Sequence, residues 1–301
     1  CAMDNTPMPK SMVLSKGIHI VVPREKLPVS HMVFTVTTDN RPVFAIPRGD
    51  TVYIGTTDTR YEKGAEIWPE VLPDEVTYLF EPIKRYFGVE LTMNDCLTTW
   101  AGLRPLIAET GKSTREISRK DEVWVSDSGL ITIAGGKLTG YRKMAEETVD
   151  AATRLLDFKV SGGSADVPLP GGDFHQTLEE LARDLTQKFP MPEKQARRLC
   201  RLYGTEAADV LALGSDSLKE EGFVHRGEVY WALQQEGARH LEDVLYRRTR
   251  AALYRTGEVR DILEPVASIM ASELGWSAER LAAECQAARE RLQSDISPLA
   301  P

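Results

Sequence analysis

Apolar residues recur at two different periods along this chain, and the change of period divides it. From Gly17 to about Ala134 the period is two. Ile18, Ile20 and Val22 alternate with His19 and Val21, which sets His19 on the strand face opposite the isoleucines. Val33 to Thr37 reads as a second strand. Pro42 to Ile46 and Thr51 to Thr56 form a hairpin across Arg48-Gly49-Asp50. A helix is expected from about Asp74 to Tyr86. Glu116 to Val125 and Leu130 to Ala134 pair as another hairpin across Asp127-Ser128-Gly129.

The period then becomes helical. Leu138, Tyr141, Ala145, Thr148, Ala152 and Leu155 share one face of a helix over about Leu138 to Leu156. Ser161-Gly162-Gly163-Ser164 and Pro168-Leu169-Pro170-Gly171-Gly172 follow, a breaker-rich segment that reads as a domain boundary. Beyond it helices are expected at about Gln176–Lys188, Glu193–Tyr203, Arg226–Glu236, Leu241–Arg247 and Asp261–Leu274, with a last one from about Ala278 capped by Ser277. The expected fold class is α+β: a mixed, largely antiparallel sheet domain over residues 1–157, a linker over 158–174 and an all-α domain over 175–301.

Composition narrows the function classes. Of 301 residues, 42% are hydrophobic and 27% charged, which is ordinary for globular domains and unlike disordered chains. A net charge of −8 gives no global attraction to nucleic acid or anionic lipid, so any phosphate site must be a local basic pocket. Arg183, Lys188, Arg197, Arg198, Arg201, Arg247 and Arg248 are interspersed with acids and read as solvated helix faces. Trp231, Trp276 and Tyr246 read as core residues. Cys1, Cys96, Cys200 and Cys285 lie far apart, with neither metal-ligand spacing nor a disulfide framework, a pattern suited to a reducing cytoplasm. No uncharged apolar run approaches the roughly 18 residues of a spanning helix. Cys1 to Lys16 is polar and holds Pro7 and Pro9, unlike a signal peptide.

Gly129 to Gly140 is the segment richest in chemistry: a strand, Gly135-Gly136, then Lys137 at a helix start. Free N–H groups, the positive helix end and an ammonium meet there, so an anion or a carbonyl gaining negative charge can be held. The plain alternative is a β–α connection whose glycines permit a tight turn. Neither a Walker A loop nor G-x-G-x-x-G fits, because Ile131, Leu138 and Lys137 occupy positions those motifs reserve. His19 is either a structural strand histidine or a general base. Arg104, in Trp100-Ala-Gly-Leu-Arg-Pro-Leu106, and Arg119, in Ile117-Ser-Arg-Lys-Asp121, are either surface charges or bidentate donors to a phosphate or oxyanion.

Four segments occur in a telling order: Ser15-Lys-Gly-Ile-His-Ile-Val-Val22, Ile54-Gly-Thr-Thr-Asp58, Trp100 to Leu106, and Gly135-Gly-Lys-Leu-Thr-Gly-Tyr-Arg-Lys143. Together they resemble the successive motifs of the FAD-dependent (respiratory) glycerol-3-phosphate dehydrogenases. Leu169 to Gly172 and Glu242 to Arg250 resemble that family's C-terminal domain. The resemblance implies that His19 takes the proton of the C2 hydroxyl of glycerol 3-phosphate and that Arg104, with it in the catalytic centre, binds substrate oxygens together with Arg119 and Lys137. It implies that Gly135, Gly136, Lys137, Leu138 and Thr139 meet the flavin ring of FAD. It also implies dihydroxyacetone phosphate as product, a quinone as electron acceptor and a cytoplasmic protein held peripherally at the membrane surface, while the cysteine spacing separately argues for no metal and the charge balance for no nucleic acid. Homodimerisation stays open.

The family's dinucleotide-binding unit, with its glycine fingerprint, has no counterpart here. The chain is therefore expected to be a fragment that starts partway through the enzyme, binds FAD weakly or not at all, and does not turn over alone. Two alternatives stand beside this reading: an oxygen-dependent glycerophosphate oxidase, and a non-catalytic anion- or partner-binding module.

Overall fold

Strand β1 forms where β-branched residues cluster. In the computed structural model, which describes residues 11–108, 121–159 and 162–300, it runs over Ser11–Pro23. Next come β2 (Val33–Val36), β3 (Pro42–Arg48), β4 (Thr51–Gly55) and β5 (Thr59–Tyr61). Helix α1 (Pro73–Phe87) opens on Pro73, Asp74 and Glu75, and the Glu75 carboxylate accepts from the Leu72 N–H at 3.0 Å. Gly88, at φ +67°, ends it. Strand β6 (Thr98–Ala108) follows, then β7 (Glu122–Val125) and β8 (Ile131–Ala134), which pair with each other.

Two compact units are interleaved along the chain. The first takes residues up to Gly17, Thr57–Glu70 and Ala101–Val167. In it β1 pairs antiparallel with β5, Leu14 facing Tyr61, and the β7–β8 pair precedes helix α2 (Tyr141–Leu155). The second takes Ile18–Thr56, Val71–Trp100 and Pro168–Pro301. Its strands run in the order β2-β3-β4-β1, all antiparallel, with His19 opposite Gly55 and Val43 opposite Thr35. Ile18, Ile20, Val22, Val43, Val52 and Ile54 are buried, and so is Val21 on the His19 face, so β1 is covered on both sides.

The rest of the second unit is helical: α3 (Leu178–Lys188), α4 (Glu193–Tyr203), α5 (Ala207–Ala212), α6 (Arg226–Gln234), a π-helical turn (Asp243–Arg248), α7 (Ala251–Tyr254), α8 (Thr256–Leu274) and α9 (Ala278–Ile296). Thr177 and Glu180 form a capping box on α3, and Ser277 caps α9 as expected. Two glycines have a steric reason. Thr205 donates to the Gly171 carbonyl at 3.0 Å, and a Cβ on Gly204 would lie 1.8 Å from that oxygen.

The α+β class and the helical C-terminal region match the expectation, while some boundaries move. β5 and α5 are short and were not foreseen. Helix α2 begins at Tyr141, because Leu138–Gly140 forms a tighter 3₁₀ turn, and α8 starts at Thr256 despite Pro265 inside it. Arg104 and Pro105 lie inside β6. Tyr246 is buried and Trp231 packs on the α3–α4–α5 core, whereas Trp276 is half-buried with Arg280 over its ring at 4.9 Å.

At the centre of the helical region Glu228 is fully buried. It accepts from Arg198 at 2.9 Å and 3.0 Å, from the Tyr203 hydroxyl at 3.1 Å and from the His225 N–H at 2.9 Å. Burial by itself would raise its pKa, but Arg198 and these hydrogen bonds outweigh burial and hold it down at about 2. The folded-state pKa lies below the ordinary carboxylate value of about 4.3. Its stabilisation is thus complete above roughly pH 5 and is lost as pH falls toward about 2. Glu228→Gln leaves Arg198 buried without a counter-charge and is expected to cost about 3–5 kcal/mol in urea denaturation at pH 7. The gap from wild type should narrow on acidification below pH 4.

Candidate active site

His19 stands on β1 in the second unit, half-buried, with its ring over the backbone of β4. A Cβ on the opposing Gly55 would come within 2.2 Å of His19 Cδ2, so only glycine leaves room for the imidazole. The Trp100 ring stacks on it with centroids 4.9 Å apart and an 11° tilt. Tyr53 approaches at 6.1 Å, and Tyr254 closes the group 5.9 Å from Tyr53 and 6.1 Å from Trp100. Burial, then the neighbouring Tyr53, raises the Tyr254 pKa and keeps its hydroxyl neutral. The imidazole therefore sits in a stiff aromatic setting, where its orientation is fixed and ring rotation is obstructed.

Arg104 belongs to the first unit, projecting from β6. It is half-buried, donates to the Thr57 carbonyl at 3.3 Å and lies 3.6 Å from the Asp58 carboxylate. Asp58 also accepts from the Ser15 hydroxyl. These contacts hold the guanidinium in one orientation, as a fork that receives an oxyanion requires. Lys16, next to Ser15, is turned instead to the Glu70 carbonyl at 2.7 Å.

The same unit carries the glycine segment. Gly135 and Gly136 both adopt φ +78°, a left-handed conformation that favours glycine. A Cβ on Gly136 would lie 2.7 Å from Met144 Sδ. Lys137, Leu138 and Thr139 are exposed, Leu138 to 89%. No side chain caps the 3₁₀ turn or α2 that follows. N–H groups without a side-chain cap and an exposed ammonium thus stand together, the donor set that an electron-rich carbonyl or a ring gaining negative charge would require. The segment fits a flavin on those grounds.

His19 lies in one unit, while Arg104 and Gly135 to Thr139 lie in the other. Arg119 falls outside the described residues. Sequence reasoning assigned no role to Asp58, Trp100, Tyr53 or Tyr254. Asp58 and Trp100 stood inside quoted motifs, whereas nothing in the sequence linked Tyr254 to a histidine more than two hundred residues earlier. Among the described residues no group of three or more His, Cys, Asp or Glu side chains is placed to hold a metal, and no helix is long and apolar enough to cross a membrane.

Comparison with known proteins gives concordant results. The family model for the C-terminal domain of alpha-glycerophosphate oxidase matches residues 163–281. The aerobic glycerol-3-phosphate dehydrogenase of Staphylococcus aureus (strain USA300) is 36% identical over 293 residues, covering 91% of this chain and 52% of that protein. The counterpart in strain NCTC 8325 / PS 47 gives the same values. The crystal structure of the glycerol-3-phosphate dehydrogenase from Bacillus halodurans, complexed with FAD, superposes with a TM-score of 0.83 at 34% identity. It covers all of this chain and 60% of that one. The chain spans about half the length of the curated relatives it matches.

The contact between His19 and Gly55 yields a testable coupling. Gly55→Ala is expected to destabilise the chain by about 1–3 kcal/mol through overpacking. In a His19→Ala background most of that cost should vanish, a positive coupling in a double-mutant cycle. An equal cost in both backgrounds would show that the imidazole is not what demands glycine.

Proposed function

We propose that this chain, a homologue of the aerobic FAD-dependent glycerol-3-phosphate dehydrogenases over about half of their length, supplies such an enzyme's substrate-facing portion (residues 1–157) and its helical C-terminal domain (residues 175–301). The reaction is oxidation of sn-glycerol 3-phosphate to dihydroxyacetone phosphate. The observation that carries the reading is the likeness along the whole chain to a dehydrogenase solved with FAD.

In this reading His19 accepts the proton of the C2 hydroxyl. Its aromatic surroundings hold the ring in place. Arg104, oriented by Asp58 and Thr57, takes substrate oxygens in bidentate fashion, and Arg119 and Lys137 add charge for the phosphate. The N–H groups of Gly135 to Thr139 and the Lys137 ammonium hold the flavin ring where it becomes electron-rich. FAD, when bound, supplies the acceptor for the hydride that leaves C2.

Electrons then pass to a quinone, which suits a peripheral position at the cytoplasmic membrane surface. The matching family model is named for an oxidase, so oxygen is the competing acceptor, and peroxide formation distinguishes the two. Leu138, Tyr141, Val149, Leu155 and Phe158 are exposed in the first unit. They are apolar surface that a further protein segment could cover.

In the full-length enzyme His19→Asn is expected to lower kcat by about 10²–10⁴ with KM nearly unchanged. Undiminished turnover in that variant would refute the assignment of the base. The isolated chain, mixed with FAD and desalted, should come out colourless. A retained flavin that bleaches with glycerol 3-phosphate would show that the chain forms a working site by itself.

A further inference from the structure

The second unit contains a cavity of about 400 Å³ that the proposed oxidation does not use. The β3–β4 hairpin gives one wall through Arg48 and Asp50, helix α4 gives another, and residues 249–255 the third. Among the described residues eight cationic side chains line it, against Asp50 as the one lining carboxylate. Glu193 and Glu228 stand behind Arg197 and Arg198 as partners. Glu258 also interacts with Arg198 and Arg255, so eight cations less four carboxylates leave four positive charges in excess, on a chain whose net charge is −8.

Pairing within the protein explains half of these cations. Lys194 and Arg255 share Asp50, Arg197 holds Glu193, and Arg198 holds Glu228. Arg24, Arg48, Arg201 and Arg250 have no carboxylate partner among the described residues. Arg24 reaches only the Gly49 carbonyl, at 3.4 Å, and Arg48 lies over the Tyr254 ring at 5.5 Å. Arg250 is held at φ +56°, an unusual conformation for a residue with a side chain. Burial, and then crowding by Arg198, lowers the pKa of Arg255 in spite of Asp50. Four unpaired guanidinium groups around one concavity repel each other, so folding alone gives no reason to gather them.

A cavity of this size exceeds what a single phosphate fills and lies in the range of small-molecule sites. Guanidinium forks match phosphate oxygens in pairs, and several forks on different walls match a ligand with more than one phosphate. We propose that this cavity binds a small polyphosphate, whose linked phosphate groups are taken by Arg24, Arg48, Arg201 and Arg250. The chemistry is shared by inorganic pyrophosphate and by nucleoside polyphosphates. None of the residues assigned to glycerol 3-phosphate is among the described residues that line it, and the proposal stands or falls without that assignment.

Thermal denaturation of this chain in about 50 mM salt, where surface charge is weakly screened, tests it. Sodium pyrophosphate should raise Tm saturably, with inorganic phosphate at least tenfold weaker, and added salt should weaken the effect. The Arg201→Glu/Arg250→Glu variant should keep its circular dichroism spectrum and its ligand-free Tm while losing at least tenfold in pyrophosphate affinity. If that variant does not fold, Arg201→Gln and Arg250→Gln singly should each weaken affinity severalfold. ADP acting more tightly than pyrophosphate would identify a nucleoside polyphosphate as the ligand, and equal or weaker action would identify the inorganic ion. Absence of a saturable shift with either compound, an equal shift with sodium chloride at matched ionic strength, or an unchanged shift in the variants would overturn the proposal.

Discussion

The buried pair of Arg198 and Glu228 is the constraint on which the helical region depends. Taking a carboxylate fully out of water costs several kcal/mol, roughly, unless charge and hydrogen bonds replace its solvent. Here α4 supplies Arg198 and Tyr203, and the start of α6 supplies the His225 N–H. Arg198 also donates to the Phe223 carbonyl at 2.8 Å and the Thr249 carbonyl at 3.4 Å. One satisfied ion pair thereby fixes two helices and the segment leading into α7. The Arg198 side chain also forms part of the basic cavity wall.

Asp50 extends that frame to the sheet. At the tip of the β3–β4 hairpin it pairs with Lys194 of α4 and, at 3.2 Å, with Arg255. Burial alone would raise its pKa, yet the two cations hold it below the ordinary value. Tyr254, beside Arg255, reaches the aromatic group that encloses His19. Helical region and strands therefore share one unit, and the setting of the imidazole depends on residues far along the chain.

Within the first unit the balance is different. The β7–β8 pair has no buried position, and α2 buries only Ala151 among its residues. Its local geometry is nonetheless specific. Two successive left-handed glycines turn the chain, Met144 occupies the space a Gly136 side chain would need, and Lys137 is carried out to solvent. Packing area is scarce here, while the local backbone geometry is well defined.

Local periodicity and turn chemistry determined much of this in the sequence alone. The alternation around His19, the hairpin at Arg48 to Asp50, the capped start of α9 and the α+β class all follow from interactions within a few residues, which a linear pattern records. The order of four motifs likewise marked the family. Only the tertiary structure decided that Arg104 lies within a strand beside Asp58, that Gly55 exists to admit an imidazole, and that Tyr254 stands near Trp100. Arg198 and Arg201 looked like solvated helix charges for the same reason that Glu228 gave no signal. Whether a charge is paired, buried or crowded is set by neighbours distant in sequence, and one-dimensional spacing carries no measure of that distance.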